Sequence, residues 1–506
     1  MSGRSFMLNV HSYIVVVLLS LRFTGAVYCQ LEIPFERDRV DGPHSRAGGE
    51  SISKSIGNLP IGVFDSGTGG LTVLEQILRI DAYDNRTFLP GSDGEPDFSD
   101  EAFVFLADQA NMPYGNYPVV GKTPFLERLI IQDAKFLMGM KPGDFFENRT
   151  DTITQADVKA IVIACNTATA YGMSDIASFI AKAGIDIELV GVVNAGAEGA
   201  VSLFANGTTG TIAVMATKGT ALSGAYPAAI LKMAEEKGLA SRITIVQQGA
   251  FGLAGAIDNS PEFIDRSVTN SSPRSEYRGP SLDNPEAQID IRLLPRYHFD
   301  FANNGILYNG DPDDPSSFQL NTVENYIAYH VITMMEKIRC TPNAEPLRVV
   351  VLGCTHFPFY ADRIRHELAR LYDYRENGRF VYRDCMAQQV EIVDPAFWTA
   401  KELYRALSSD SRLHEQRQQK TGLPQVTFTI TIPCRDYPGV ELNPQGWFTY
   451  EYKYGRDDSV VGLDIQYVPL RGTIVGPEIL NRLSQRVPMV WNLLKASESN
   501  AAKVEN

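Results

Sequence analysis

Short apolar runs alternate with helix-like segments along most of the chain, beginning near Leu59. The run IGVFD leads into a glycine-rich turn, and the runs VKAIVIAC and LRVVVLGC are apolar and β-branched. Between such runs, TPFLERLIIQDAKFLMGM carries apolar residues at helical spacing. Apolar strands that alternate with helices are typical of parallel sheets covered by helices on both faces. The pattern predicts an α/β protein.

Two segments interrupt this alternation. Residues 259–318 are rich in Pro, Ser, Asn and Asp and predict a long insertion. Residues 408–470 contain the alternating runs VTFTITI and WFTYEYKY, which predict antiparallel strands added late in the chain. The whole pattern divides the chain into a signal peptide at 1–29, a linker at 30–58, the first part of domain 1 at 59–192, domain 2 at 193–390, a return to domain 1 with a β-rich segment at 391–490, and a tail at 491–506.

The first residues have the layout of a secretory signal peptide. Arg4 precedes the apolar run YIVVVLLSL, and the small residues of TGAVYC follow it. The run is too short to span a membrane comfortably. If the signal is used, we expect a periplasmic or secreted protein with cleavage near Cys29. The alternative is an uncleaved anchor or an unstructured extension of a cytoplasmic protein.

Composition narrows the class of protein. The 506 residues are 44% hydrophobic and 21% charged, which is a globular balance with room for two or three domains. The net charge of −14 disfavours nucleic acid as a partner, because an acidic surface repels phosphate, but it leaves a small anionic substrate open. The six cysteines are widely spaced and form no CxxC pair, which argues against a structural zinc site and a disulfide framework.

Two cysteines occupy matching positions, each just past an apolar run. Cys165 ends IVIAC before Asn-Thr, and Cys354 ends VVVLGC before Thr-His. Ligands of open α/β sheets bind at the carboxyl ends of strands, and a thiol beside a helix N-terminus gains thiolate character. Either residue alone would be better interpreted as an ordinary buried cysteine. The repeated context predicts two pseudo-symmetric, doubly wound parallel-sheet domains with the active site between them.

Asp65 and His356 stand beside these candidates. Asp65 ends IGVFD and opens SGTGG, where a carboxylate serves either as a proton acceptor or as a turn cap. His356, two residues after Cys354, is either its proton partner or a structural histidine. The glycine-rich turn lacks the Lys of a Walker loop and the GxGxxG spacing, so a phosphate site is only weakly indicated.

Five motifs in chain order, VFDSGTGGLTVL, MPYG, ACNTATA, ATKGTALSGAY and GCTHFP, resemble the successive signatures of glutamate racemases. The resemblance covers residues 60–407 in pieces. Aspartate racemases usually lack this first Asp and carry Glu after GCT, so Asp65 and His356 favour the glutamate type. The resemblance implies a two-base mechanism without cofactor or metal. In it the first cysteine deprotonates the D-enantiomer and the second the L-enantiomer; these match Cys165 and Cys354.

The resemblance also implies the remaining site residues and partners. Asp65 and His356 assist the neighbouring thiols. The implied substrate contacts are Asp65, Ser66, Tyr114, Gly115, Asn166, Thr167, Thr217, Thr220, Thr355 and His356. The implied partner is a small amino acid, glutamate, with its D-form serving peptidoglycan synthesis. We expect no nucleic acid and no membrane contact beyond the export signal, and a homodimer is left open.

One family feature is missing. Members usually carry a Cys-Pro element followed by a Glu that pairs with the His, whereas this chain reads VQQGAFGLAGAID, and Asp258 is the candidate substitute. Three alternatives stay open: a racemase for aspartate or another amino acid, a one-base decarboxylase or isomerase of the superfamily, and a non-catalytic amino-acid-binding relative. The presence of both cysteines argues against the last, because binding does not need two thiols.

Overall fold

A computed structural model describes residues 56–140, 157–204, 208–409, 412–413 and 424–504. The expected signal peptide, 1–29, and most of the expected linker, 30–58, lie outside these residues; 56–58 form a 3-10 turn. Within the described ranges, no helix combines the length and apolarity needed to cross a membrane.

The regular elements are numbered in chain order. The strands are β1 (Ile61–Asp65), β2 (Ala102–Ala107), β3 (Ala160–Ile163), β4 (Glu188–Gly191), β5 (Gly210–Ala216), β6 (Ile243–Gly249), β7 (Ile306–Asp311), β8 (Asp314–Leu320), β9 (Leu347–Gly353), β10 (Arg375–Glu376), β11 (Arg379–Phe380), β12 (Met386–Val393), β13 (Gln425–Pro433) and β14 (Ile465–Pro469). The helices are α1 (Leu71–Arg79), α2 (Thr123–Leu137), α3 (Asn166–Ala183), α4 (Val192–Ser202), α5 (Lys218–Ser223), α6 (Ala225–Glu236), α7 (Leu253–Ile257), α8 (Leu294–Tyr297), α9 (Val323–Cys340), α10 (Ala361–Tyr372), α11 (Pro395–Ser409), α12 (Tyr450–Gly455), α13 (Gly472–Val475), α14 (Pro477–Arg486) and α15 (Pro488–Val504).

The larger sheet has the strand order β14-β13-β2-β1-β3-β4. All its pairs are parallel except β13 with β14. Because side chains alternate across a strand, Ile61 and Val63 of β1 pack against α1, α11, α14 and α15, while Phe64 packs against α2 and α3. This sheet is therefore covered by helices on both faces.

The smaller sheet has the order β12-β9-β5-β6 and is parallel throughout. Helices α4 and α6 cover one face, and α7, α9 and α10 cover the other. Its two central strands, β5 and β9, are mostly apolar and are buried except at Arg348, as parallel strands covered on both faces require. The two sheets confirm the predicted α/β class with two doubly wound parallel domains.

The late β-rich segment differs from its prediction. The run VTFTITI lies in β13, but it pairs parallel to β2 and is antiparallel only to β14. The run WFTYEYKY is wrong as a strand, since residues 450–455 form α12. The hydroxyl of Thr449 accepts the backbone N–H of Tyr452 at 3.2 Å, which starts a helix where the alternation of aromatic residues indicated a strand.

The chain ends also differ from expectation. Residues 491–506 are not a tail, because most of them belong to α15, whose Leu493 and Leu494 are buried in the core of the larger sheet. The predicted insertion at 259–318 contains β7 and most of β8, a hairpin whose Ile306, Phe318 and Leu320 pack into the core of the smaller sheet. Burial of apolar side chains therefore fixes both segments to the two domains.

Candidate active site

The carboxyl ends of four strands, β1 and β3 of the larger sheet and β5 and β9 of the smaller, meet at one cavity. Cys165 follows β3 and Cys354 follows β9, and both buried free thiols line the cavity. The other lining residues are Ser66, Pro113, Tyr114, Gly115, Asn166, Thr167, Thr217, Ala254, Thr355 and His356. The fold thus brings the two predicted cysteines to a single site from different domains.

Cys165 stands at the N-cap of α3. Its sulfur accepts the backbone N–H of Ala168 at 3.4 Å, and its S–H donates to the Ser66 hydroxyl at 3.6 Å. Burial raises the pKa of the Cys165 thiol, and the negative charge of Asp65 raises it further. Both causes outweigh the opposing hydrogen bonds with Ala168 and Ser66, so the thiol form of Cys165 is favoured.

Asp65 lies behind the cavity and does not line it. Its carboxylate accepts the backbone N–H of Gly70 at 2.8 Å and of Gly67 at 3.3 Å. The hydroxyl of Thr355, from the other domain, donates to it at 3.3 Å. Burial raises the pKa of Asp65, and the nearby charge of His356 opposes that rise. Asp65 therefore caps its own turn and holds that turn against the loop after β9, and its contact with substrate stays a prediction.

The glycine-rich turn after Asp65 needs its small residues because the two domains meet there. A Cβ atom on Gly69 would lie 2.6 Å from Thr355 Oγ1 and 2.7 Å from His356 Cε1. Such distances are too short for carbon, so a larger residue would separate the turn from the loop that carries Cys354. The turn therefore packs the two domains together at the site. Its sequence indicated a phosphate site only weakly.

Three threonines join the domains on another side of the cavity. The Thr167 hydroxyl lies 3.1 Å from that of Thr217 and 2.8 Å from that of Thr220, and the last two are 2.9 Å apart. Thr167 and Thr217 line the cavity, whereas Thr220 is fully buried and does not. Thr220 therefore orients the other two hydroxyls, and its own contact with substrate stays a prediction.

Tyr114 lines the cavity, but its hydroxyl points elsewhere. The hydroxyl lies 2.5 Å from Asp108 Oδ2 and 2.7 Å from Asp133 Oδ2, two buried carboxyl groups. One phenol has a single proton for these two contacts, so one carboxyl group must carry a proton of its own. Burial raises the pKa of Asp133 well above its ordinary value, and the charge of Asp108 adds to this, which favours the protonated form of Asp133.

His356 links Cys354 to Asp258. Its Nδ1 is 3.7 Å from the Cys354 sulfur, and its Nε2 is 3.3 Å from Asp258 Oδ2, an ion-pair distance without hydrogen-bond alignment. Both charged side chains are 2% exposed. Burial alone would lower the pKa of His356, but the charge of Asp258 raises it well above its ordinary value. Asp258, the candidate substitute for the missing Glu, thus lies at ion-pair distance from His356.

Three residues near the site were not found by sequence reasoning. Tyr226 donates to Asn166 Oδ1 at 2.5 Å, and Gln109 accepts the N–H of Thr68 at 3.1 Å. Arg482 of α14 donates to Asp258 Oδ1 at 2.6 Å. Tyr226 lies within the quoted ATKGTALSGAY motif, which was the available signal for it. Arg482 is one of two arginines on the amphipathic helix α14, and the sequence of that helix gives no sign of this contact.

Across the residues that the structure describes, no group of three or more His, Cys, Asp or Glu side chains is arranged to hold a metal ion.

Comparison with known proteins gives two kinds of match. The chain is 34% identical over 365 residues to a glutamate racemase of Levilactobacillus brevis, covering 72% of this chain and 84% of the relative. It is 32% identical over 195 residues to the glutamate racemase of Shouchella clausii, covering 38% of this chain and about half, 54%, of that relative. A solved glutamate racemase isoform of Bacillus anthracis aligns over 73% of this chain and 87% of its own, with TM-score 0.41 and 20% identity. No protein-family model matches the chain.

Proposed function

The chain belongs to the glutamate racemase family, whose members are isomerases of an amino acid, and from this premise we propose that it interconverts L- and D-glutamate by proton transfer at the α-carbon. Cys165 and Cys354 are the two acid–base groups. The observation that carries the proposal is their position: two free thiols from different domains line one cavity. Racemisation by two bases needs a proton acceptor on one side of the α-carbon and a proton donor on the other.

Each turnover moves two protons and leaves the substrate otherwise unchanged. One cysteine, as thiolate, takes the α-proton and becomes a thiol. The other, as thiol, gives its proton to the opposite side of the same carbon and becomes a thiolate. The enzyme is left ready for the reverse reaction, and no oxidant or reductant is consumed.

The difficult part is the weak acidity of an α-proton beside a carboxylate. Its removal builds negative charge on the carboxylate, and preorganised donors lower the barrier by meeting that charge. The cavity offers the hydroxyls of Ser66, Thr167 and Thr355. The N-terminus of the 18-residue α3, which begins at Asn166, adds backbone N–H groups and a favourable dipole.

The surroundings of the two thiols differ. Burial raises the pKa of the Cys165 thiol and so favours its protonated form, whereas the Cys354 sulfur lies 3.7 Å from Nδ1 of His356, a proton-transfer partner. By the family assignment, Cys354 accepts the α-proton of L-glutamate while Cys165 delivers a proton. We therefore assign Asp258 and His356 to the support of Cys354, and Ser66 rather than Asp65 to the support of Cys165.

The direct test is incubation with L-glutamate in D₂O, followed by polarimetry and proton NMR. We expect the optical rotation to fall to zero and the D-glutamate formed to carry deuterium at the α-carbon. Unchanged rotation without exchange, for glutamate and for other amino acids, would refute racemisation. Racemisation of aspartate with glutamate inert would replace the substrate but keep the reaction.

The two-base scheme has its own test. Cys165→Ala and Cys354→Ala should each lower racemisation by roughly 1,000-fold, since each removes one proton-transfer group. Cys385→Ala is the matched control, because this free, half-buried cysteine does not line the cavity. Full activity in either site variant would reject the scheme.

A further inference from the structure

Helix α14 reaches the active site through Arg482. One guanidinium nitrogen, Nη2, donates to Asp258 Oδ1 at 2.6 Å, and Nη1 donates to the backbone carbonyl of Ile257 at 2.5 Å. The guanidinium also lies over the ring of Phe359, 4.9 Å from its centroid, and the side chain is 11% exposed. Arg482 therefore forms hydrogen bonds to the end of α7 and packs on the turn that follows His356.

Asp258 is bound through both of its oxygens. Oδ1 accepts from Arg482, while Oδ2 faces His356 Nε2 at 3.3 Å and Gln109 Nε2 at 3.5 Å. A carboxylate that is 2% exposed needs charged or donor partners to stay ionised. With Arg482 on one oxygen, the other oxygen is directed at His356.

We propose that Arg482 is a positioning residue for racemisation. It holds Asp258 against His356, so that helix α14 completes the Cys354 half of the site. The inference rests on the proposed function. Arg482 lies outside residues 60–407, over which the motifs of the family are spread. Asp is one methylene shorter than the Glu that relatives carry, and the guanidinium anchors this shorter carboxylate in line with the imidazole.

The charge of Arg482 gives the proposal a signature that a purely structural role lacks. The titratable and charged groups facing His356 and Asp258 are Cys354, Asp65 and Arg482. Removal of the permanent positive charge of Arg482 stabilises the protonated form of the titratable groups that face it. Both limbs of the pH profile of kcat/KM should therefore move to higher pH.

The experiment compares Arg482→Gln, Arg482→Met and Arg482→Lys with wild type. We expect the two neutral variants to shift both limbs upward by about one pH unit, and the Lys variant to shift by only a few tenths. Arg486→Met is the matched control on the same helix, because Arg486 is 48% exposed and forms an ion pair with the exposed Asp362 at 3.7 Å. Its profile should match wild type.

Each outcome decides the question. Neutral variants that racemise with unmoved limbs would overturn the positioning role, even if their rates are lower. The Gln variant retains a donor for Asp258 and serves if the Met variant does not fold; failure of both to fold, judged by circular dichroism, would make Arg482 a folding residue and also overturn the proposal. An inactive wild-type protein would instead refute the proposed function.

Discussion

Replacing Tyr114 by Phe removes one oxygen that lies between two buried carboxyl groups. The hydroxyl is 2.5 Å from Asp108 and 2.7 Å from Asp133. A hydrogen bond to an ionised group contributes about 1.5–3 kcal/mol, and a buried polar group left without a partner costs about 1–3 kcal/mol. Asp108 keeps donors from Asn111 and Thr431, so its loss is partial. We expect Tyr114→Phe to lower the free energy of unfolding by about 3 kcal/mol.

Urea denaturation followed by tryptophan fluorescence measures this change, because Trp447 and Trp491 belong to the domain of the larger sheet. Tyr171→Phe is the matched control: its hydroxyl donates a single 2.9 Å bond to the neutral carbonyl of Gly219. The control should cost about 1 kcal/mol. The KM of the folded Tyr114→Phe enzyme should change by less than about threefold, since the hydroxyl points away from the cavity.

Two results would refute this reasoning. A stability loss no larger than that of Tyr171→Phe would show that the two carboxyl groups do not depend on the phenol. A large rise in KM with unchanged stability would show that the hydroxyl binds substrate, as the family resemblance first implied.

Two further predictions concern the packing between the domains and the ion pair of Asp258 with His356. Gly115→Ala places a Cβ 2.5 Å from Thr217 Oγ1 and should lower kcat/KM roughly 10-fold. The control Gly455→Ala, whose Cβ would have no atom within 4 Å, should leave kcat/KM unchanged. Equal values of kcat/KM for the two variants would contradict the packing argument. In the folded protein the pKa of Asp258 is lowered from its ordinary 3.8, and the pKa of His356 is raised from its ordinary 6.5. The ion pair therefore contributes its full stability between pH 3.8 and pH 6.5. It loses this stability as the pH falls through the folded-state pKa of Asp258 or rises through the folded-state pKa of His356. The melting temperature of Asp258→Asn should therefore fall below wild type most strongly between about pH 4 and 6.5, and a difference that is constant with pH would contradict the ion pair.

The fold class and the two thiols were accessible from local patterns. Buried parallel strands read as Val- and Ile-rich runs, and Cys165 and Cys354 stand where such runs end. The strand at residues 425–433 was also visible, but its parallel partner was not, because alternation reports which face is buried and says nothing of which neighbour lies alongside. Residues 450–455 were misassigned, since a helix cap outweighed an alternating pattern.

The sequence by itself determined that this is a two-domain α/β racemase with a cysteine at the end of one strand in each domain. Only the tertiary structure decided which polar groups face the cavity. Asp65 and the Tyr114 hydroxyl turn away from it, while Asp258 and Arg482, 224 positions apart, form one ion pair. The physical reason is that a buried polar group pairs with whichever partner the packing brings within hydrogen-bond distance. The periodicity of a strand or helix does not indicate partners that are hundreds of positions away in the sequence.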